Sequence, residues 1–421
     1  MDKNIPQIRY AEFTDEWKEV TIEQISELLK GSGLSKGLLV DNGKYKCLLY
    51  GEIFTRYNYA VKECYSRTNH LEGTKSQIGD VLMPGSTTTN GVDLAKAVAV
   101  FENDILLGGD IIIIRQKGNC YDPYFLATLL SEIDREKIGE IAQGITIMHL
   151  HASQLKNRVI SIPTLPEQEK IGELFRNLDN LIDEEQKRLD KLRALKAALL
   201  QKMFPSDNPD NTLNGGGNSL IMSDLRISKN FITPWKKIYL KDVCQVQNGF
   251  AFHSTSFIKS GIPIIRIADI YNGEVNTDNS VCCTMELDSQ FEIVQGDFVI
   301  AMSGATVGKI GIYNDTKKAY INQRVGKFVV NREKAIPLFI FYALQGKTFE
   351  YYIYSTLTMG AQPNISAQQI EAFEFYIPSN REEQQQIGNF FRTQDEQIAH
   401  TAQYITSLRT IRTALLQKMF V

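Results

Sequence analysis

An internal repeat limits the possible folds of this chain more than any other feature. Residues 168–204 align without gaps to residues 384–420, at a constant offset of 216 positions. Sixteen of the 37 aligned residues are identical, and both segments end in Ala-Leu-Leu-Gln-Lys-Met-Phe. A repeat of this length predicts two copies of one structural plan.

Shorter matches upstream extend the repeat into the rest of the chain. Trp17-Lys18 corresponds to Trp235-Lys236, and Gly79-Asp80 corresponds to Gly296-Asp297. The predicted order is therefore globular domain, long helix, globular domain, long helix, with a Pro-, Asn-, Asp- and Gly-rich flexible linker between the copies. The predicted segments are a first domain at 1–163, a central helix at 164–204, the linker at 205–222, a second domain at 223–378 and a C-terminal helix at 379–421.

Both globular segments have the pattern of mixed α and β structure. Pro123 and Pro337 are each well placed to begin a helix, and short apolar runs predict strands between them. The predicted fold class is α+β, with two mixed domains joined by two long antiparallel coiled-coil helices in a pseudo-two-fold repeat. The predicted strands are 45–50, 81–83, 97–101 and 111–116 in the first copy, and 263–267, 298–302, 309–313 and 327–330 in the second.

The two repeated helices begin with possible capping boxes, Thr164-x-x-Glu167 and Ser379-x-x-Glu382. Their apolar seams are interrupted by polar residues, so neither predicts a strong homodimeric zipper. We therefore expect each helix to pair antiparallel with the other helix of the same chain. The predicted seams are Ile171, Leu174, Leu178, Leu181, Leu192, Leu195 and Leu199 in the first helix, and Ile387, Phe390, Leu408, Ile411 and Leu415 in the second.

Composition excludes several classes of protein. Forty-six Lys and Arg against 49 Asp and Glu give a net charge of −3, which argues against binding nucleic acid through a generally basic surface. No apolar run approaches the roughly 20 residues that span a bilayer, so no membrane association is expected. The N-terminus lacks an apolar signal stretch, which predicts a cytoplasmic location. The six cysteines suit buried thiols in a reducing compartment.

At this point specific motifs resemble a known family. The opening Pro6-x-Ile8-Arg9-Tyr10-x-x-Phe13-x-x-x-Trp17 and the Glu-Gln-x-x-Ile-Gly entries at 167–172 and 383–388 are similar to those of the specificity subunits of type I restriction–modification enzymes. The second copy departs from the opening motif, because the segment before Arg226 lacks a matching proline. The resemblance covers the whole chain except the linker.

The resemblance implies a DNA-recognition subunit without catalysis or a cofactor of its own. Each globular segment would be a target recognition domain that reads one half of a bipartite site in double-stranded DNA. The helices would set the gap between the half-sites and dock two methyltransferase (modification) subunits. Restriction subunits with translocase and nuclease activity would join that core.

Candidate DNA-contacting residues follow from chemistry that suits base edges and phosphates. Arg pairs with guanine and Asn or Gln with adenine, while Lys309, Lys317 and Lys318 suit phosphates. For any single residue, an ordinary exposed strand rim or turn explains the same pattern. The candidates are Arg56, Tyr57, Tyr59 and Lys62; Ser86, Thr87, Thr88 and Asn90; His149; Ser303, Thr306 and Lys309; Asn322, Gln323 and Arg324; and Asn364.

Two motifs suggest catalysis or metal binding but have simpler explanations. Tyr121-Asp122-Pro123-Tyr124-Phe125 lacks the second proline of an adenine methyltransferase motif, so a helix start is favoured. His149-x-His151 has no third ligand nearby in sequence, so polar loop residues are favoured over a metal site. Two other functions stay open: a self-sufficient methyltransferase or nuclease, and a coiled-coil scaffold with two protein-binding heads and no DNA role.

Overall fold

The computed structural model describes residues 4–204, 234–357 and 363–421. The chain forms two compact units: Met1–Lys187 with Ala402–Val421 form the first unit, and Arg188–Thr401 form the second. Both divisions fall inside long helices, so each unit contains part of both. The predicted linker, 205–222, lies outside the described residues.

The two long helices are Leu165–Met203 and Arg381–Met419, each of 39 residues. Their first residues are 216 positions apart (381 − 165), so the repeat offset is also the offset of the helix starts. The predicted capping box at Ser379 is wrong by one residue. Asn380 provides the cap, because its side-chain oxygen accepts the Glu382 N–H at 2.8 Å, whereas the Ser379 hydroxyl donates to the Pro234 carbonyl.

The first unit contains a five-stranded sheet, a three-stranded sheet and two small two-stranded pairings. The strands of the five-stranded sheet are, in spatial order, Ser26–Lys30, Ile111–Gln116, Val81–Pro84, Val98–Val100 and Ala60–Val61. The three-stranded sheet is Ser66–Thr68, Tyr45–Leu48 and Leu106–Leu107, and the pairs are Lys18–Thr21 with Val159–Ile162 and Ser86–Thr87 with Met148–His149. The short helices are Ile22–Ile25, Tyr50–Thr55, Pro123–Thr128, Arg135–Ile141 and Ala152–Leu155.

The second unit repeats this plan with a six-stranded and a four-stranded sheet. The larger sheet runs Cys244–Asn248, Val325–Val330, Phe298–Ala301, Ile310–Ile312, Glu274–Val275 and Ile270–Tyr271. The smaller runs Cys282–Cys283, Ile262–Ile265, Ala319–Ile321 and Glu292–Ile293, and Trp235–Tyr239 pairs with Glu374–Pro378. The short helices are Pro337–Ala343, Lys347–Thr356 and Ala367–Glu371.

The mixed α and β character of both units confirms the predicted fold class. Helices begin at Pro123 and Pro337 as predicted, and the strand Ile111–Gln116 has the predicted bounds. The first predicted strand ends early, at Leu48, because Tyr50 begins a helix. Within the described residues, no helix has the length and apolar content that crossing a bilayer requires.

The end of the second long helix completes the core of the first unit. Phe420 is buried, and its ring centroid lies 5.3 Å from that of Phe125, 5.7 Å from Phe175 and 6.1 Å from Trp17. A few residues earlier, the Arg412 guanidinium donates to the Asp179 carboxylate at 2.6 Å. The first unit is therefore built partly from the other copy of the repeat.

The second unit has the same arrangement with the helices exchanged. The Phe204 ring lies 5.5 Å from Phe339, 6.1 Å from Phe391 and 6.4 Å from Trp235. The Lys196 ammonium lies 2.5 Å from the Asp395 carboxylate. In each unit, residues further along one long helix contact residues earlier in the other. The helix segments in each unit are therefore antiparallel, as predicted.

The predicted helix seams are only partly correct. Ile171 and Leu199 are buried, but Leu195 and Ile411 are each 50% exposed. Ile182 and Leu189 are buried instead. A straight helix has 3.6 residues per turn and drifts from a strict seven-residue pattern, so the buried stripe changes register along 39 residues.

We predict that shortening the terminal phenylalanine of one helix destabilises the unit that it enters. Phe420→Ala removes a buried ring from the first unit and is expected to cost about 3–5 kcal/mol of unfolding free energy there. In the Phe420→Ala variant, amide hydrogen exchange should show reduced protection in the strands of the first unit. In the Phe204→Ala variant, the protection should be reduced in the strands of the second unit. Ile411→Ala, at a half-exposed position of the same helix, is the control. Equal loss in both units from either substitution would contradict the assignment.

Candidate nucleic-acid interface

Five residues from three chain segments form the candidate site in the first unit. After the strand Val81–Pro84, Ser86 pairs with His149 in a short antiparallel ladder. The Gly85 N–H donates to the Asp110 carbonyl at 2.8 Å, and the Leu150 N–H donates to the Gly85 carbonyl at 2.9 Å. These bonds hold three separate chain segments together at one place.

The second unit repeats these bonds with different residues. Ser303 pairs with Asn364, the Met302 N–H donates to the Arg324 carbonyl at 2.9 Å, and the Ile365 N–H donates to the Met302 carbonyl at 2.9 Å. We call this arrangement the strand-end frame; it consists of Gly85, Ser86, Asp110, His149 and Leu150 in the first unit and of Met302, Ser303, Arg324, Asn364 and Ile365 in the second. The frame brings together Ser86 with His149, and Ser303 with Arg324 and Asn364, all predicted candidates.

The other candidates beside the first frame divide by exposure. Ser86 and Thr87 are largely buried; the Ser86 hydroxyl donates to the Asp110 carboxylate. Thr88, Asn90 and His149 are exposed. The Asn90 side chain also accepts the Asp93 N–H at 3.2 Å, so it caps a short turn. Among these candidates, the exposed side chains are therefore those of Thr88, Asn90 and His149.

In the second unit, a tight turn presents Asn322, Gln323 and Arg324. The Asn322 N–H donates to the Ile265 carbonyl at 2.9 Å and the Gln323 N–H to the Phe250 carbonyl at 2.8 Å. Gln323 and Arg324 are exposed, and Asn322 is half-buried. The backbone of this turn is therefore held by hydrogen bonds, while the side chains of Gln323 and Arg324 are exposed.

Three lysines and a threonine of the second unit have varied surroundings. The Thr306 hydroxyl donates to the Ile267 carbonyl at 3.4 Å, and the exposed Lys309 ammonium lies 6.0 Å from the Tyr271 ring centroid. Lys317 is exposed. Lys318 instead forms ion pairs with Glu286 at 2.7 Å and Glu292 at 3.2 Å, which occupy its charge.

The aromatic and basic cluster of the first unit is engaged in internal contacts. Tyr57 is buried, its hydroxyl donates to the Glu63 carbonyl at 3.0 Å, and burial raises its pKa. The Tyr59 hydroxyl donates to Glu132, and burial raises the pKa of Tyr59 as well. Lys62 pairs with Asp183 at 2.6 Å, while the exposed Arg56 lies 5.0 Å from the Tyr65 ring centroid. These contacts belong to the packing of the unit rather than to the strand-end frame.

Two residues, Asp110 of the first frame and Arg266 near the second, were missed in the sequence. Asp110 immediately precedes the strand Ile111–Gln116, and Arg266 follows the strand Ile262–Ile265. Because Ile265 is paired with Ile321 in parallel register, Arg266 lies beside Asn322, with its side chain 36% exposed. An alignment of the strands of the two copies, rather than of their motifs, would have placed Asp110 at the position equivalent to Arg324.

The structure assigns local roles to the motifs that suggested catalysis. The Asp122 carboxylate accepts the Phe125 N–H at 2.7 Å and caps the helix that begins at Pro123, which confirms the helix-start prediction. The His149 and His151 rings are stacked with centroids 6.2 Å apart. Among the described residues, no three His, Cys, Asp or Glu side chains form a group that fits a metal ion.

Comparison with known proteins identifies the family that shares this architecture. The domain family described as type I restriction modification DNA specificity domain matches the chain twice, over residues 14–194 and 232–409. The crystal structure of the S subunit of a type I restriction–modification system from M. genitalium has the same fold, with a TM-score of 0.68 at 17% identity over 99% of both chains.

Curated relatives agree with the family match. The chain is 24% identical over 375 residues to the type I restriction enzyme MjaVIII specificity subunit of Methanocaldococcus jannaschii, covering 82% of this chain and 85% of the relative. It is 20% identical over 336 residues to the EcoBI specificity subunit of Escherichia coli, covering 73% and 70%. The chain therefore belongs to the type I restriction–modification DNA specificity family, is a specificity subunit, and carries two recognition domains.

Proposed function

We propose that each unit reads one half of a bipartite target in double-stranded DNA. The observation that carries this proposal is the strand-end frame, which has the same backbone hydrogen bonds in both units but different side chains. His149 and Asp110 in the first unit correspond to Asn364 and Arg324 in the second. A backbone geometry that is common to both units but presents different polar groups is suited to reading two different base sequences.

We further propose that the chain performs no catalysis. In this proposal the long helices dock two methyltransferase subunits and hold the two readers at a set spacing, and restriction and translocase subunits join that complex in the cytoplasm. The ends of both helices are anchored by buried aromatic rings and ion pairs. These contacts would fix each recognition domain to the long helices. The family match gives no support to a scaffold without a DNA role.

The first prediction from this proposed function tests the absence of catalysis. The purified chain, incubated with a labelled methyl donor and mixed duplex DNA, should transfer no methyl group. The same DNA should become methylated when the cognate modification subunits are added. Methyl transfer or DNA cleavage by the chain alone would contradict the proposal.

The second prediction tests the independence of the two readers. Replacing residues 223–376 with the matching segment of another family member should change one half of the methylated motif and leave the other half unchanged. A chain rebuilt at the same junctions with its own segment is the control. Sequencing of methylated adenines in the host gives the motif, and a change in both halves would show that the units do not read separately.

The third prediction tests the proposed spacing role of the helices. Inserting four residues after Glu185 and after Thr401, which are 216 positions apart, lengthens each helix by roughly 6 Å. It adds a rotation of roughly 40° beyond one turn, close to the rotation of one base pair at about 10.5 per turn. We expect unchanged half-sites separated by a gap longer by one or two base pairs.

The control for the insertion replaces four residues at each position with alanines and keeps the helix length. That variant should keep the original gap. An active insertion variant with an unaltered gap would show that the helices do not set the spacing.

A further inference from the structure

The residue immediately before one strand of the larger sheet carries opposite charges in the two units. Asp110 precedes the strand Ile111–Gln116, and Arg324 precedes the strand Val325–Val330. The carbonyls of Asp110 and Arg324 accept the equivalent backbone bonds from Gly85 and Met302. The strand registers agree, because Ile111 is paired with Pro84 and Val325 with Ala301. Asp110 and Arg324 therefore occupy the same place in the repeated fold.

The half-buried carboxylate of Asp110 lies against the first frame. One oxygen accepts from the Ser86 hydroxyl. The other lies over Gly85, where a Cβ atom would come within 2.9 Å of it, so glycine at this position leaves room for the carboxylate. Asp110 also lines, with Lys30 and His149, a cavity of about 90 Å³.

The guanidinium of Arg324 has the freedom that base recognition requires. Arg324 is exposed, and its guanidinium makes no hydrogen bond or ion pair with another described residue. Its backbone is nevertheless fixed, since the carbonyl accepts from Met302 and the N–H donates to the Asn322 side chain at 3.4 Å. A fixed backbone with an unengaged five-donor side chain is suited to a bidentate contact.

We infer that this position is a base-reading position in both units, and that its charge inversion makes the two half-sites differ. This inference rests on the proposed function. Asp110 accepts a hydrogen bond from the exocyclic amino group of a base, as carboxylates do from cytosine N4, and Arg324 donates to O6 and N7 of guanine. The two units thus select bases of opposite hydrogen-bonding character with one backbone geometry.

The test is the methylated motif of hosts carrying Asp110→Asn or Arg324→Gln. Each variant should relax or change one base, Asp110→Asn in one half-site and Arg324→Gln in the other. The controls are Asp104→Asn, which lies before the strand Leu106–Leu107, and Arg332→Gln, which lies after the strand Val325–Val330. Both control variants should keep the motif. An unchanged motif in an active Asp110→Asn or Arg324→Gln variant would overturn the inference for that position.

A second measurement covers variants that lose methylation altogether. The purified complex of each variant is titrated against duplexes in which every half-site base is replaced singly. Wild type should lose roughly 5- to 160-fold in affinity at the base that each residue reads, and the variant should lose that discrimination at one base only. Discrimination retained at every base would overturn the inference. If wild type methylates no bipartite motif, the proposed function itself fails.

Discussion

The burial of each helix end in the unit of the other repeat is the contact on which the structure depends. Phe420 fills the space between Trp17, Phe125 and Phe175, and Phe204 fills the equivalent space in the second unit. Because aromatic rings bury large areas and dominate core energies, neither unit has a complete core from its own repeat. The identical closing residues of the two helices are explained by this shared task.

The ion pairs beside these rings show how one plan tolerates different residues. Asp179 and Asp395 are repeat equivalents, and their partners are Arg412 and Lys196. In both units a tyrosine hydroxyl also donates to the aspartate, from Tyr124 and Tyr342, at 2.8 Å. The Arg412 pair is 11% and 9% exposed and the Lys196 pair 16% and 37%, which matches the preference for arginine in buried pairs. The strand-end frames follow the same principle, since their backbone hydrogen bonds are common and their side chains differ.

The repeat and the helix starts at proline were predictable because they depend on local patterns. The bounds of the long helices followed closely, although the cap at Asn380 was missed since Ser379 offered the same chemistry one residue earlier. The exposure of Leu195 and Ile411 was missed because burial depends on the partner helix. The internal contacts of Tyr57 and Tyr59 and the place of Asp110 depend on strand pairing between distant segments, which motif matching does not reveal. The sequence pattern therefore located the frame's loops and Arg324, but not Asp110, which occupies the equivalent position in the first unit.

In the proposed function, one fold that is present twice presents two different sets of polar groups to DNA. The most direct measurement is the methylated motif of the unaltered system, determined at single-base resolution in a host that carries it with its modification subunits. We expect one bipartite motif with a nonspecific gap of fixed length and two half-sites of different sequence. A continuous motif, or one in which both half-sites carry the same sequence, would contradict this expectation.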